Sequence, residues 1–202
     1  MSPSLEKYTL VAFCDALEKA GFKRIAREYV NYPFDKNFSC WVGINTSTQN
    51  GIVHIEPFVG IHVADIEKMW TDMTPYAVKY DKRVATYARH MGELVPNAQA
   101  FRIEKQADVE RESARFVNLY ETIGIKYAAS IATYRALESK LRERIEGLGG
   151  FPERYACCLL LIGKIDVAEK FVRKFAAKEP EYFGVFAESF LKLIENETGD
   201  AV

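Results

Sequence analysis

Two segments of alternating polarity, joined by Asn50-Gly51, constrain the fold of this chain more than any other feature. Residues 38–45 place Phe38, Cys40, Val42 and Ile44 at every second position, and the segment Ile52–Val63 continues the alternation on the other side of the turn. A period of two puts successive side chains on opposite faces of a strand. Asn-Gly favours the two-residue turn of a β-hairpin. The pattern therefore predicts an antiparallel strand pair with one apolar face.

Three further segments read as strands, residues 23–32, 84–90 and 100–104. Five strands joined mostly by short connections predict an antiparallel β-meander packed with helices, which is an α+β fold. Pro57 interrupts the strand of residues 52–63. Because proline cannot donate a ladder hydrogen bond, we expect a bulge or an edge position there.

Helices account for the rest of the chain. Ser2 and Pro3 predict a helix start, and Gly21 predicts its end, since glycine readily takes the left-handed C-terminal conformation. A short helix is expected over residues 65–73. From residue 108 onward the chain reads as helical, with a break at Gly124. The strongest interruption is Gly149-Gly150-Phe151-Pro152, which predicts a body of residues 1–148 and a helical cap of residues 149–202 within one compact protein.

Charge and cysteine usage exclude several classes of protein. The net charge is −1, which gives no overall field for attracting nucleic acid or an anionic membrane. Residues 134–178 hold ten basic and six acidic residues, whereas residues 179–202 hold one and six. No apolar run is long enough to span a bilayer, and the first residues do not resemble a signal peptide. Four cysteines in apolar runs indicate reduced thiols, so we expect a cytoplasmic protein.

The sequence contains no recognisable catalytic, cofactor-binding or metal-binding motif. His54 and His62 share a strand face with Glu56, but they are eight residues apart, roughly 26 Å along an extended strand. They cannot share a metal ion unless the chain folds sharply at Pro57. The cysteines have no ligand spacing. We therefore expect no cofactor, no metal and no catalytic residue; an enzyme with an unfamiliar site around His54, His62 and His90 is one alternative.

Two segments resemble known families. Residues 155–180 resemble a single tetratricopeptide hairpin, with Gly163 at the turn, Ala168 at the helix contact and Pro180 at the end. Residues 5–75 resemble small bacterial families of the immunity-protein type, through Gly21-Phe22-Lys23 and the strand-to-helix stretch Val59-Gly60-Ile61-His62…Ile66-Glu67. This resemblance implies a protein that neutralises a toxin or effector domain by binding it. A scaffold that uses the C-terminal hairpin is a second alternative.

One sheet face is the predicted binding surface, since large aromatics beside polar groups are typical of interface centres. It carries Trp41, Asn45, His54, Glu56, Phe58 and His62. Alternatively, the C-terminal helices cover this face. The acidic, aromatic segment Glu179, Glu181, Tyr182 and Phe183 is a further candidate surface. The sequence leaves the oligomeric state open.

Overall fold

The computed structural model describes residues 4–74, 79–96, 100–147 and 150–199. It confirms an α+β protein with an antiparallel sheet of six strands and a helical C-terminal region. The chain forms two compact units. Unit 1 comprises Met1–His62 and Lys82–Ala132, and unit 2 comprises Val63–Asp81 and Thr133–Val202. The sequence predicted a single boundary between residues 148 and 149, which both lie outside the described residues. The two units are divided at other points of the chain.

Unit 1 consists of the sheet and the helices that pack on it. Its elements are α1 (Leu5–Lys19), β1 (Lys23–Ala26), β2 (Tyr29–Pro33), β3 (Phe38–Gln49), β4 (Ile52–Val63, whose last residue belongs to unit 2), β5 (Tyr87–His90), β6 (Phe101–Ile103), α3 (Val109–Leu119) and α4 (Ile125–Ser130). The helix between β4 and β5, α2 (Ala64–Met73), belongs to unit 2.

The hairpin predicted from Asn50-Gly51 is confirmed. Asn50 and Gly51 both have positive φ, at 51° and 79°, as a two-residue turn with matching twist requires. The alternation of the two strands is confirmed as well. Cys40, Val42 and Val53 belong to the buried core, together with residues of α1 and α3. The hairpin thus fixes which face of the sheet receives the helices.

The strands are arranged in the order β1-β2-β3-β4-β5, and β6 also pairs with β4. β6 pairs with residues 53–55 of β4, and β5 pairs with residues 58–61. Pro57 falls between these two paired stretches, where no ladder donor is needed from it. We predicted a bulge or an edge position there. β4 is not an edge strand, because it has neighbours on both sides, but its pairing on one side is interrupted at Pro57. The sheet is a meander only as far as β5.

The segment 23–32 is two strands rather than the predicted single strand. β1 and β2 pair antiparallel, with Lys23 opposite Asn31 and Arg24 opposite Val30. Residues 27 and 28 form the turn between them. Every residue type in this segment is compatible with a strand, and the turn contains neither glycine nor proline. The sequence therefore carries no local signal for the reversal.

Helix α1 ends as predicted, but it begins later. Ser4 caps it through a hydrogen bond from the Lys7 amide, whereas Ser2 and Pro3 lie outside the described residues. Gly21 has φ of 93°, and the Phe22 amide donates to the Leu17 carbonyl at 3.1 Å. These contacts form a Schellman motif, which returns Phe22 to the core.

The break predicted at Gly124 is a π-helical turn, Tyr120–Gly124, between α3 and α4. Tyr120 is fully buried, and its hydroxyl donates to the Phe58 carbonyl of β4. A Cβ at Gly124 would lie 2.7 Å from Cδ1 of Tyr120. The absent side chain therefore lets the helix bring this tyrosine against the sheet.

Unit 2 is helical. Besides α2 it contains α5 (Tyr134–Arg144), α6 (Pro152–Leu161), α7 (Ile165–Lys178) and α8 (Pro180–Gly199). α2 contacts both α6 and α8, and α7 packs between its chain neighbours α6 and α8. The predicted segments 153–162, 167–178 and 182–196 are confirmed within a few residues. Across the described residues, no helix has the length and apolarity that a membrane span requires.

Candidate functional site

The predicted sheet surface is largely engaged by its own unit at one end. The indole N–H of Trp41 donates to the Arg83 carbonyl at 2.7 Å. His62 is buried, and its Nδ1 lies 2.7 Å from the Val84 carbonyl oxygen. The segment that precedes β5 thus engages one polar atom of each ring.

The remaining predicted residues form a more open strip. Phe58 is half-buried and meets the His90 ring edge to face, with centroids 5.1 Å apart. His54 is half-buried opposite Arg102 of β6, whereas Asn45 and Glu56 are exposed. The structure therefore does not bring all six residues together as one accessible site, and their role in binding a partner stays a prediction.

The cysteines do not provide reactive nucleophiles. All four are buried, and none forms a disulfide. Burial raises the pKa of Cys14 to about 11 and that of Cys40 and Cys158 to about 12. Because the thiolate is the nucleophile and the metal ligand, these thiols are unreactive at neutral pH. The described residues also contain no group of three or more His, Cys, Asp or Glu that could hold a metal ion.

A cluster of arginines at the start of α3 is balanced by carboxylates. Arg111 pairs with Glu112 at 2.9 Å and with Asp108 at 3.6 Å, and Arg115 also pairs with Glu112. Arg115 in addition stacks over the Phe101 ring. Since each of these guanidinium groups already has a carboxylate partner, this cluster is an unfavourable site for an anion.

The most distinctive arrangement of charged side chains lies in unit 2, between α2 and α6. Arg154 Nε donates to Glu67 Oε1 at 2.7 Å and Nη2 donates to Oε2 at 2.9 Å. Only 3% of the Arg154 side chain and 2% of that of Glu67 are exposed. The guanidinium carbon also lies 4.6 Å from the Trp70 ring centroid and 4.3 Å from that of Phe151. A bidentate ion pair between two aromatic rings fixes all four side chains.

A second carboxylate lies beside this pair, close to an exposed tyrosine. Glu153 is buried, and its carboxylate neighbours the hydroxyl of Tyr182 on α8. Partial burial of the phenol and the nearby Glu153 carboxylate raise the pKa of Tyr182. The Oε2 atom of Glu153 is buried without a hydrogen-bond partner among the described residues. The polar end of Tyr182 is thus beside a buried carboxylate, while its ring remains at the surface.

Three exposed apolar side chains form what we call the aromatic patch: Phe151, Tyr182 and Val185. Their exposed fractions are 39%, 58% and 46%, and Tyr182 is the most exposed large apolar side chain of the described residues. Phe151 contacts Arg154, Tyr182 contacts Glu153, and Val185 lies one helical turn beyond Tyr182. The patch therefore rests on a buried network of charged groups.

Sequence reasoning identified only part of this site. Tyr182 belongs to the predicted acidic, aromatic segment, but Phe183 of that segment is fully buried. The sequence indicates Phe151 only as part of the chain break at residues 149–152. The exposure of Val185 could have been predicted from the sequence, since this residue lies among acidic residues opposite the buried stripe of Phe183, Phe186 and Phe190. The pairing of Glu67 with Arg154 spans 87 residues and has no local signature.

Comparison of the chain with family models, with curated proteins and with solved structures finds no match.

Proposed function

We propose that this protein is a non-catalytic binding protein of the immunity type, which neutralises a partner protein by occluding it. The observation that carries the proposal is the aromatic patch and its support. Interface centres are enriched in aromatic side chains that are already fixed before binding, since less conformational entropy is then lost on association. Phe151 stacks on buried Arg154, and Tyr182 lies beside buried Glu153, so both rings are positioned by buried charged groups before binding.

The charges around the patch favour a particular kind of partner surface. Glu181 and Glu188 are exposed on α8, on either side of Val185. Neither forms an ion pair with another residue that the structure describes. A partner that complements them presents an apolar depression with basic groups at its rim. Such charges accelerate association and disfavour acidic partners.

The test is co-expression with the products of the adjacent genes, since immunity proteins are encoded beside their toxins. We expect the protein to form a stable complex with one of these products and to abolish its toxicity. Tyr182→Ala and Phe151→Ala should each weaken the complex by at least about 30-fold, which corresponds to about 2 kcal/mol. The readouts are the dissociation constant, measured by calorimetry, and the growth of the host.

Two control variants make this test specific. Val167→Ala truncates an equally exposed apolar residue on α7, outside the patch, and should leave affinity unchanged. Asn45→Lys with Glu56→Lys alters the exposed part of the sheet face. If those sheet substitutions abolish binding while Tyr182→Ala does not, the patch is not the binding centre. If no adjacent gene product binds, the immunity-type function is wrong.

An adaptor is the second candidate, because the patch flanks the tetratricopeptide-like hairpin: Phe151 precedes α6, and Tyr182 and Val185 lie on α8, which follows α7. An adaptor holds its partner without inhibiting it. The same co-expression experiment separates the two functions: a complex that depends on Tyr182 but leaves the partner fully active supports the adaptor and contradicts neutralisation.

A further inference from the structure

A small cavity opens between the end of α5 and α7, within unit 2. Its volume is about 280 Å³, and its apolar lining comes from Ile145, Phe171 and Phe175. Small-molecule sites usually measure about 300–1,000 Å³, so this cavity is at the lower limit for a whole ligand. It is better matched to a single apolar side chain presented by another protein surface.

The rim of this cavity is basic. Arg142, Lys174 and Lys178 line it together with one carboxylate, Glu146. Arg142 lies 4.0 Å from Glu138, at the limit of an ion pair. Lys174 and Lys178 form no ion pair with any residue in the described ranges. The cavity therefore combines an apolar floor with uncompensated positive charge.

The same unit carries a surface of the complementary kind. The exposed face of α8 places Val185 between Glu181 and Glu188, each within one helical turn of it. Val185 is 46% exposed, although it is aliphatic. An apolar side chain between two unpaired carboxylates matches an apolar cavity rimmed by unpaired lysines in polarity and charge.

We infer that the α5–α7 cavity binds the α8 face of a second copy of this chain. Val185 of one copy enters the cavity of the other, and Glu181 and Glu188 pair with Lys174 and Lys178. Because α7 and α8 pack against each other, both surfaces are carried by one helical layer. A twofold axis then makes the contact twice, which gives a closed dimer rather than an open chain.

This dimer does not depend on the proposed function, since it needs no other protein. It does have a consequence for that function. Val185 belongs to both the dimer contact and the aromatic patch, so self-association and partner binding exclude each other. In the free protein the second copy then covers the binding surface, and a partner binds only by competing with that copy.

The test is sedimentation velocity of the full chain across a dilution series, at about 20 mM and about 500 mM NaCl. We expect a dimer at low salt and a shift to monomer at high salt, because salt screens the pairs of Glu181 and Glu188 with the two lysines. K174E/K178E makes the cavity acidic, and E181K/E188K makes the α8 face basic. Each variant alone then opposes like charges, and its dimer dissociation constant should rise at least about tenfold.

Mixing the two charge-reversed variants is the decisive step. In a mixed dimer, the acidic cavity of one faces the basic α8 of the other, and the unmodified surfaces complete the second contact. We therefore expect a heterodimer to form on mixing. K36E/K126E reverses two exposed lysines in unit 1 and changes the net charge by the same amount as K174E/K178E. This control variant should leave the dimer intact.

A parent protein that is monomeric at all concentrations and low salt overturns the inference. So does a dimer that tolerates both reversals, or variants that fail to associate when mixed while retaining the circular dichroism and melting temperature of the parent. The proposed function is judged separately, by partner binding, and either idea can fail without the other.

Discussion

Four specific contacts within unit 2 converge on Arg154. It pairs with Glu67 through two hydrogen bonds and stacks on Trp70 and Phe151. A buried pair of this kind gains little over well-packed apolar residues, because both charges have lost their hydration. The ion pair instead fixes the position of Arg154 and, through it, the position of the Phe151 ring at the surface. Stability and binding therefore respond differently to its removal.

Removing one partner of this pair should destabilise the protein strongly. We expect Arg154→Met to lower the free energy of unfolding by about 3–5 kcal/mol, because Glu67 is left charged and buried without a partner. The double variant Glu67→Leu with Arg154→Met should recover most of this loss. Urea unfolding followed by circular dichroism gives both values.

The control for this prediction is an exposed ion pair of the same chemistry. Arg173 and Glu169 lie 2.9 Å apart on α7, with 56% and 37% of their side chains exposed. Arg173→Met should therefore cost less than about 1 kcal/mol. A loss for Arg154→Met that is no larger than this would contradict the account of a buried, mutually dependent pair.

At the level of elements, β4 organises unit 1, and glycine decides how closely its neighbour approaches. Gly60 lies opposite Ala88 of β5. A Cβ at Gly60 would overlap the Tyr87 carbonyl oxygen and would lie 2.8 Å from the Ala88 Cα. Backbone atoms cannot move aside as a flexible side chain can. The pairing of β4 with β5 therefore depends on the absence of a side chain at this position.

Two glycine substitutions of the same size should have opposite effects. Gly60→Ala should reduce the free energy of unfolding by at least about 2 kcal/mol, since the added methyl group forces the two strands apart. Gly184→Ala, in α8, meets no atom within 4 Å and should stabilise the protein by about 0.5–1 kcal/mol. Thermal unfolding of the two variants beside the parent measures both effects. Equal melting temperatures for the two would refute this assignment of steric cost.

The elements that sequence could predict are those with local causes. The β3–β4 turn was predictable because Asn50-Gly51 supplies two positive φ angles, and the end of α1 because Gly21 supplies one. The return of β6 to β4 was not, since it depends on pairing between residues about 50 positions apart. The candidate site could not be predicted from the sequence for the same reason, because Glu67, Arg154 and Tyr182 come from three separate helices.

The whole molecule is divided by contacts in space rather than by breaks in the chain. The chain passes between the two units three times, after His62, after Asp81 and after Ala132. Unit 2 therefore takes α2 from within the segment that also supplies β4 and β5. The predicted boundary at residues 148 and 149 falls inside unit 2. A pronounced glycine–proline break is as typical of a turn between two helices as of a border between two domains.

A truncation at this predicted boundary tests the division directly. Deleting residues 149–202 removes α6 and α8, which both contact α2, and it removes Arg154 from buried Glu67. We expect the fragment of residues 1–148 to melt at a lower temperature than the parent and to bind a hydrophobic dye, because Ile66 and Met73 lose their cover.

A nicked protein separates the loss of these helices from the loss of chain continuity. A protease site inserted after Gly147 allows the same cut to be made in the folded protein. The helices of unit 2 bury α2 through side-chain contacts rather than through this connection, so the nicked chains should stay associated and exclude the dye. A truncated fragment that melts at the temperature of the intact protein would mean that residues 149–202 are an independent domain after all. In that case α2 of the truncated fragment would keep its fold without α6 and α8. That result would contradict the role assigned to these helices, which is to bury Ile66 and Glu67 in the complete chain.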